Sequence, residues 1–203
     1  MSRPGKIVCV GRNYLEHAKE LGNEVPKEPL LFLKPPSSVI GMNDTIVLPE
    51  QSKQVEYEGE IGIRIAKKIF RASEADARAA IGGVVAVNDV TARDLQKSDG
   101  QWTRAKGFDT FCPIGADAAA PDDLDSLTVV TRVNGAERQR AVAREMAFHI
   151  PALLAYITTV MTLEPGDLVA TGTPAGVGTL APGDVVEVEI LGLSSIRNTV
   201  SAR

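Results

Sequence analysis

Val55-Glu-Tyr-Glu-Gly-Glu-Ile-Gly-Ile-Arg-Ile65 combines alternating acidic and apolar residues. Over part of its length it alternates with the period of two residues that is typical of a β-strand. One face carries Glu58, Glu60 and Gly62, and the opposite face carries three isoleucines, Ile61, Ile63 and Ile65. The stretch therefore predicts a strand with an apolar face and an acidic face.

Further strands are predicted on both sides of this stretch, and they cluster instead of alternating with helices. They are Lys6–Val10, Leu30–Leu33, Thr45–Leu48, Val84–Val90, Leu127–Val133, Glu137–Val142, Leu168–Thr171, Val185–Ile190 and Ser195–Val200. Between two of them, Asn134-Gly135 predicts a type I′ hairpin turn. Three helices are predicted: Tyr14–Leu21, Glu74–Ile81 capped by Ser73, and Met146–Met161 with Pro151 disturbing its first turns. This pattern predicts one α+β, mostly β domain over residues 1–203.

Composition excludes several classes of protein. The chain has 203 residues, 44% hydrophobic and 24% charged, with a net charge of −4, which argues against a nucleic-acid partner. No segment approaches the roughly 20 apolar residues that span a bilayer, and the N-terminus lacks the pattern of a signal peptide. Cys9 and Cys112 are far apart and lack metal-type spacing; buried thiols are favoured over a disulfide. We therefore expect a cytoplasmic protein without a membrane partner.

Three acidic residues are candidate metal ligands. Side chains two apart on a strand, such as those of Glu58 and Glu60, leave the same face about 7 Å apart at their Cα atoms. Taken alone, the alternating acids Glu56, Glu58 and Glu60 favour the solvated face of an edge strand. Asp89 changes this, because it follows the apolar run that begins at Val84, where an unpaired acid is costly. An all-oxygen site of three carboxylates suits Mg²⁺ or Mn²⁺, whereas a turn or cap role for Asp89 is the alternative.

Two other features have both a functional and a structural interpretation. His17 and Glu20 are neighbours on one helix face, where a carboxylate can orient a histidine as a general base, although a solvated surface pair fits as well. His149 lies in an apolar stretch and is expected in the core or an interface. The Gly-rich loop Thr171–Gly178 matches no nucleotide-binding motif. It predicts either an anion-binding loop or a sharp connection between strands.

Together these residues resemble the fumarylacetoacetate hydrolase family over nearly the whole chain. The resemblance rests on an ordered set of motifs: Val8-Cys-Val-Gly-Arg-Asn-Tyr14 with His17, Leu31-Phe-Leu-Lys-Pro35, Tyr57-Glu-Gly-Glu-Ile61, Asn88-Asp-Val-Thr-Ala-Arg-Asp-Leu-Gln96, Trp102-Thr-Arg-Ala-Lys-Gly-Phe-Asp109, Leu163-Glu-Pro-Gly-Asp167 and Thr171–Gly178. It implies a fold of mixed β-sheets with few helices, a homodimer, and a Mg²⁺ or Mn²⁺ cofactor. The short chain is similar to the small hydrolase and isomerase/decarboxylase branch.

The resemblance also implies roles for individual residues. The metal ligands are Glu58, Glu60 and Asp89, and the lysine near the metal is Lys106. The remaining matched positions are His17 and Glu20 on a lid helix, Arg93, Gln96 and Thr173 in the substrate pocket, and Lys34 in the Leu-Lys-Pro segment. His149 stands where the family commonly has a small or acidic residue.

The implied reaction is metal-dependent cleavage of a C–C bond in a small 2-oxo acid. For an acylpyruvate, His17 oriented by Glu20 takes a proton from water, and Lys106 stabilises the oxyanion. The same site also fits an isomerase of a 2-hydroxy-diene dioate, an oxaloacetate tautomerase or a decarboxylase. A metal-stabilised binding module without activity is the non-enzymatic alternative.

Overall fold

The structure is a computed structural model that describes residues 3–20 and 26–203, with the side chains of residues 17–19 left out. Its strands are β1 Ile7–Gly11, β2 Leu30–Lys34, β3 Val39–Ile40, β4 Thr45–Leu48, β5 Val55–Tyr57, β6 Gly59–Ile65, β7 Ile81–Asn88, β8 Thr91–Ala92, β9 Cys112–Pro113, β10 Thr128–Val133, β11 Ala136–Val142, β12 Leu168–Ala170, β13 Gly178–Thr179, β14 Val185–Ile190 and β15 Ser194–Ala202. The α-helices are α1 Leu15–Glu20, α2 Glu74–Ala79, α3 Arg93–Ser98, α4 Thr103–Lys106 and α5 Ile150–Val160.

Two five-stranded sheets form the body of the fold. The first has the strand order β2-β1-β12-β6-β7, and the second has the order β11-β10-β14-β15-β4. Both mix parallel and antiparallel pairs, since β1 runs parallel to β12 and β15 runs parallel to β4. The largest cluster of buried apolar side chains draws on strands of both sheets and on α5. The predicted mostly β fold of mixed sheets is confirmed.

The predicted strand Val55–Ile65 is divided at Glu58, and this part of the prediction is wrong. β5 pairs with β8 and β13 in a small third sheet, whereas β6 pairs with β7 and β12 in the first large sheet. The backbone N–H of Glu58 is donated to the Asn88 side chain at 3.0 Å, and its C=O accepts the N–H of Asp89 at 2.8 Å. At Glu58, a hydrogen bond to a side chain 30 residues away in sequence replaces the regular backbone bonds between neighbouring strands. The alternation of residues within the stretch therefore could not reveal the break.

Local signals in the sequence predicted other elements well. Asn134 and Gly135 have φ of 53° and 78°, as a type I′ turn requires, and they join β10 to β11. Ser73 caps α2 by accepting the N–H of Asp76. The last helix begins at Ile150 instead of Met146, because Pro151 suits the first turn of a helix and not its interior.

Two predictions about single residues have opposite outcomes. His149 is not a core residue: its side chain is 52% exposed, precedes α5, and lies 3.6 Å from the carboxylate of Glu74. The core placement is wrong because the apolar pattern belongs to the helix that starts one residue later, whereas the interface position remains a prediction. Cys9 and Cys112 are both free and buried, as predicted.

None of the helices in the described ranges is long and apolar enough to cross a membrane.

Candidate active site

Glu58, Glu60 and Asp89 meet inside the protein. Glu58 lies at the junction of β5 and β6, Glu60 is the second residue of β6, and Asp89 directly follows β7. One carboxylate oxygen from each lies within 4.8 Å of the other two. The residues are 4%, 1% and 0% exposed, so the solvated edge strand favoured by Glu58 and Glu60 alone is wrong.

Basic side chains neutralise two of these three carboxylates. The ammonium of Lys106 lies 2.7 Å from Glu58 Oε2 and 2.6 Å from Asp89 Oδ2. Lys34 lies 2.6 Å from the other oxygen of Asp89. Arg93 donates to Glu58 through one nitrogen and to Glu56 through another, the latter at 2.7 Å. Since all these groups are buried, the pairs are only weakly screened by solvent.

Glu60 differs from the other two, because no basic side chain in the described part of the chain forms an ion pair with it. Its carboxylate accepts the backbone N–H of Gly172 at 2.8 Å. Burial, followed by the charges of Asp89 and Glu58, raises the pKa of Glu60 well above its ordinary value. The site is therefore short of positive charge at this carboxylate.

The charges and the donor atoms fit a divalent cation. Three of the four carboxylates (those of Glu56, Glu58 and Asp89) have basic partners among Lys34, Arg93 and Lys106, whereas the fourth, Glu60, has only a backbone N–H. The candidate ligand atoms are all carboxylate oxygens, which are the ligands that Mg²⁺ and Mn²⁺ prefer. These residues could hold such an ion.

A cavity of 340 Å³ opens onto the triad. It is lined by Val10, Gly11, Arg12, Phe32, Glu58, Glu60, Arg93, Gln96, Lys97, Trp102, Lys106 and Thr173. The Lys106 ammonium lies 4.8 Å from the centroid of the Phe32 ring, which packs edge to face with Trp102. Arg12 has a φ of 59°, a conformation rare outside glycine. Apolar and basic surface together suit a small organic anion.

The structure brings most of the predicted site residues to this cavity. The cavity is lined by the predicted ligands Glu58 and Glu60 and by Lys106, Arg93, Gln96 and Thr173. Asp89 is not among the lining residues, but one of its carboxylate oxygens lies within 4.8 Å of theirs. The guanidinium of Arg93 also donates to Gln96. Thr173 donates its hydroxyl to the C=O of Gly59 at 2.9 Å. These contacts fix the positions of the residues; their roles toward a substrate remain predictions.

The predicted His17–Glu20 pair is only partly described by the structure. His17 is part of α1, but its side chain is outside the described atoms, as is Leu21 at the end of the predicted lid helix. Glu20 is exposed and accepts the backbone N–H of Gly176 at 3.0 Å. Helix α1 therefore contacts the Gly-rich loop Thr171–Gly178.

Three buried residues of the site were not recognised from the residues themselves. Glu56, expected on a solvated strand face with Glu58 and Glu60, is 6% exposed and forms an ion pair with Arg93. Lys34 ends the apolar strand Leu30–Lys34, and a charge in that position was the available signal. Gln139, on the hairpin strand β11, carried no signal because its partners are far away in sequence.

Comparison with known proteins gives a consistent result. The family model "Fumarylacetoacetate (FAA) hydrolase C-terminal" matches residues 6–201. A mitochondrial oxaloacetate tautomerase of Arabidopsis thaliana is 44% identical, with 98% of this chain and 92% of that protein aligned. The crystal structure of 2-hydroxyhepta-2,4-diene-1,7-dioate isomerase from Mycobacterium marinum has a TM-score of 0.91 at 44% identity, covering 99% of this chain and 76% of that one. Fumarylpyruvate hydrolase from Pseudomonas aeruginosa, in complex with Mn²⁺ and pyruvate, has a TM-score of 0.92 at 30% identity, covering 98% and 91%.

Proposed function

The chain belongs to the fumarylacetoacetate hydrolase family of enzymes, and we propose that it is a metal-dependent hydrolase that cleaves a C–C bond in acylpyruvates. The observation that carries this proposal is the buried carboxylate triad at the wall of a cavity with basic side chains. Such a wall can bind the 1-carboxylate and 2-oxo group of a 2-oxo acid.

In this proposal Glu58, Glu60 and Asp89 hold Mg²⁺ or Mn²⁺. The Glu60 carboxylate without a basic partner and the all-oxygen donors support this assignment, and a related hydrolase is known with Mn²⁺ and pyruvate. When bound, the ion supplies Lewis-acid polarisation of the 2-oxo group, which stabilises negative charge on that oxygen.

Lys106 places positive charge beside the reacting group. Its ammonium has three N–H donors, and two of them are occupied by Glu58 and Asp89. The third is available to a substrate oxygen in the cavity that Lys106 lines. Because the lysine is buried and held by two carboxylates, it does not have to reorganise as negative charge develops on the substrate.

Other basic groups favour a substrate with a second carboxylate. Neither Arg12 nor Lys97 forms an ion pair with a residue that the structure describes, and both line the cavity. Arg93, by contrast, is already neutralised by Glu56 and Glu58. A dianion such as fumarylpyruvate would therefore gain a charge-assisted contact that acetylpyruvate cannot make.

Hydrolysis also requires a base for water, and the proposal assigns this role to His17. A histidine is suited to accept a proton near neutral pH. Its position in helix α1 supports the assignment, because Glu20, three residues later on the same helix, accepts the backbone N–H of Gly176 in the Gly-rich loop. The proton taken from water would be held by His17 while the C–C bond breaks toward pyruvate.

Keto–enol tautomerisation or isomerisation of a 2-oxo diacid is the second candidate. It is favoured by the tautomerase and isomerase activities named for two relatives at 44% identity. The same triad and Lys106 would serve it, because negative charge develops on the same oxygen. Releasing CO₂ from oxaloacetate needs no base for water, so His17 separates hydrolysis from decarboxylation. Moving a proton needs a base but no attack by water, so release of pyruvate from an acylpyruvate separates hydrolysis from tautomerisation.

The experiment uses metal-stripped protein with fumarylpyruvate, acetylpyruvate and oxaloacetate, with and without Mn²⁺. Pyruvate release and the enol absorbance of oxaloacetate are followed for the wild type, Glu58→Gln and His17→Ala. His149→Ala is the matched histidine control, since His149 is exposed and is not among the residues that line the cavity. We expect Mn²⁺-dependent pyruvate release from fumarylpyruvate that is lost in Glu58→Gln and His17→Ala only. If the protein accelerates the loss of the oxaloacetate enol absorbance but releases no pyruvate from fumarylpyruvate or acetylpyruvate, hydrolysis is contradicted and the second candidate is supported.

A further inference from the structure

Gln139 connects the second sheet to the centre of the candidate site. It lies on β11, is 2% exposed, and uses every donor of its side-chain amide. Its Oε1 accepts the backbone N–H of Gly59 at 3.0 Å. Its Nε2 donates to the Thr173 hydroxyl and to the C=O of Pro174, both at 2.8 Å.

These contacts close a ring of hydrogen bonds. The N–H of Gly59 is donated to Gln139, Gln139 donates to Thr173, and the Thr173 hydroxyl donates at 2.9 Å to the C=O of the same Gly59. Both polar groups of one backbone residue are thus held by two side chains that also hold each other. A buried ring with every member satisfied resists displacement of any single member.

The ring lies between the candidate ligands. Gly59 separates Glu58 from Glu60, and Thr173 follows Gly172, whose N–H is donated to Glu60 at 2.8 Å. A Cβ on residue 59 would lie only 1.9 Å from the hydroxyl oxygen of Thr131 on β10. The second sheet therefore approaches this junction so closely that only glycine fits.

We propose that Gln139 is a positioning residue for the metal site, acting through Gly59 and Thr173. This inference rests on the metal site of the proposed function. The ring fixes the backbone between Glu58 and Glu60 and ties it to the loop that orients the Glu60 carboxylate. Groups that hold metal ligands in place commonly change metal affinity or activity about 10- to 100-fold when they are replaced.

The test measures Mn²⁺ affinity of the full-length protein, from the electron paramagnetic resonance signal of free Mn²⁺, together with the thermal midpoint of the metal-free protein. Gln139→Met keeps the length of the side chain and removes its hydrogen bonds. We expect its affinity for Mn²⁺ to fall at least about tenfold. Thr131→Val is the matched control: it lies against Gly59, and its hydroxyl has no hydrogen-bond partner among the described residues. It should bind Mn²⁺ like the wild type.

A second variant opens the same ring elsewhere. Thr173→Val should weaken Mn²⁺ binding similarly and remains informative if Gln139→Met does not fold. The double variant should bind Mn²⁺ no more weakly than the weaker single variant, because residues of one network are not additive. Wild-type affinity in the two single variants, with only a lower thermal midpoint, would overturn the inference. A wild-type protein that binds no Mn²⁺ would instead contradict the metal site itself.

Discussion

The ammonium of Lys34 lies 2.6 Å from Oδ1 of Asp89, and neither side chain is exposed. Lys34 also donates to the C=O of Val90 at 3.0 Å, and Lys106 occupies the second oxygen of Asp89. Both oxygens of Asp89 are thus paired, whereas Glu60 accepts only one backbone N–H. The basic groups are concentrated at one side of the triad, and the shortage of positive charge lies at the other.

Lys34→Met should destabilise the metal-free protein strongly. It leaves one oxygen of Asp89 buried without its cation, and breaking a buried pair typically costs about 3–5 kcal/mol. Urea denaturation measures the free energy of unfolding. Lys68→Met is the control, since its ion pair with Glu164 is 67% and 45% exposed and should contribute less than about 1 kcal/mol. Equal, small losses in the two variants would show that the Lys34–Asp89 pair is not the buried contact described above.

Glu60→Gln should raise the free energy of unfolding of the metal-free protein at pH 7. The unfolded chain holds this carboxylate ionised, whereas burial near two other acids disfavours the ionised form in the folded state. The neutral amide removes that cost. Glu56→Gln, on the neighbouring strand, should lower the same quantity, because it removes an ion-pair partner of Arg93.

The same Glu60→Gln variant should lose the stabilisation that Mn²⁺ gives the wild type. An ion that binds only the folded state adds about 2.7 kcal/mol at 100 times its dissociation constant. Thermal unfolding with and without Mn²⁺ measures this difference. A variant that Mn²⁺ stabilises as much as the wild type would exclude Glu60 as a ligand.

Arg12→Ala should change the choice of substrate more than the rate of catalysis. A hydrogen bond to a charged group contributes about 1.5–3 kcal/mol, so KM for fumarylpyruvate should rise at least about tenfold. KM for acetylpyruvate, which lacks the second carboxylate, should stay within about twofold. Steady-state kinetics of both substrates gives the comparison, and Arg104→Ala, an exposed arginine paired with Asp99, is the control. An equal rise for both substrates would place Arg12 at the 2-oxo acid end instead.

The two thiols should be unreactive in the folded protein. Burial raises the pKa of Cys112 to about 12 and that of Cys9 well above its ordinary value. The reactive thiolate is therefore scarce at pH 8, and both sulfurs are inaccessible. Titration with a disulfide reagent should find almost no thiol before unfolding and two per chain in denaturant. Fast labelling of the native protein would contradict the buried placement.

Local signals predicted most of the fold, and long-range contacts account for the errors. The β10–β11 hairpin follows from Asn134-Gly135, whose backbone requirement is local. The break depends on hydrogen bonds from Glu58 to Asn88, 30 residues away in sequence, and from Gly59 to Gln139, 80 residues away. No pattern within Val55–Ile65 contains that information. The homodimer and the cytoplasmic location remain predictions.

The candidate site was predictable where a charged residue stands in or next to an apolar run, because burying an unpaired charge there is costly. Asp89, which follows an apolar run, was predicted in this way, whereas Lys106 and the pocket residues were predicted from the family resemblance. Glu56 was misinterpreted because alternating acids fit a solvated strand equally well until their partner, Arg93, is known. Whether His17 acts as a base is a question for the kinetic experiment.

The division of the chain at Glu58 has a consequence for amide hydrogen exchange. Glu58 belongs to no strand, and residues between strands usually exchange within the dead time of the experiment. Here, however, the N–H groups of Glu58 and Gly59 are donated to the buried side chains of Asn88 and Gln139. These two amides should exchange slowly. Their protection factors report on the side-chain network beneath the carboxylates, and they give a readout of its integrity that requires neither metal nor substrate.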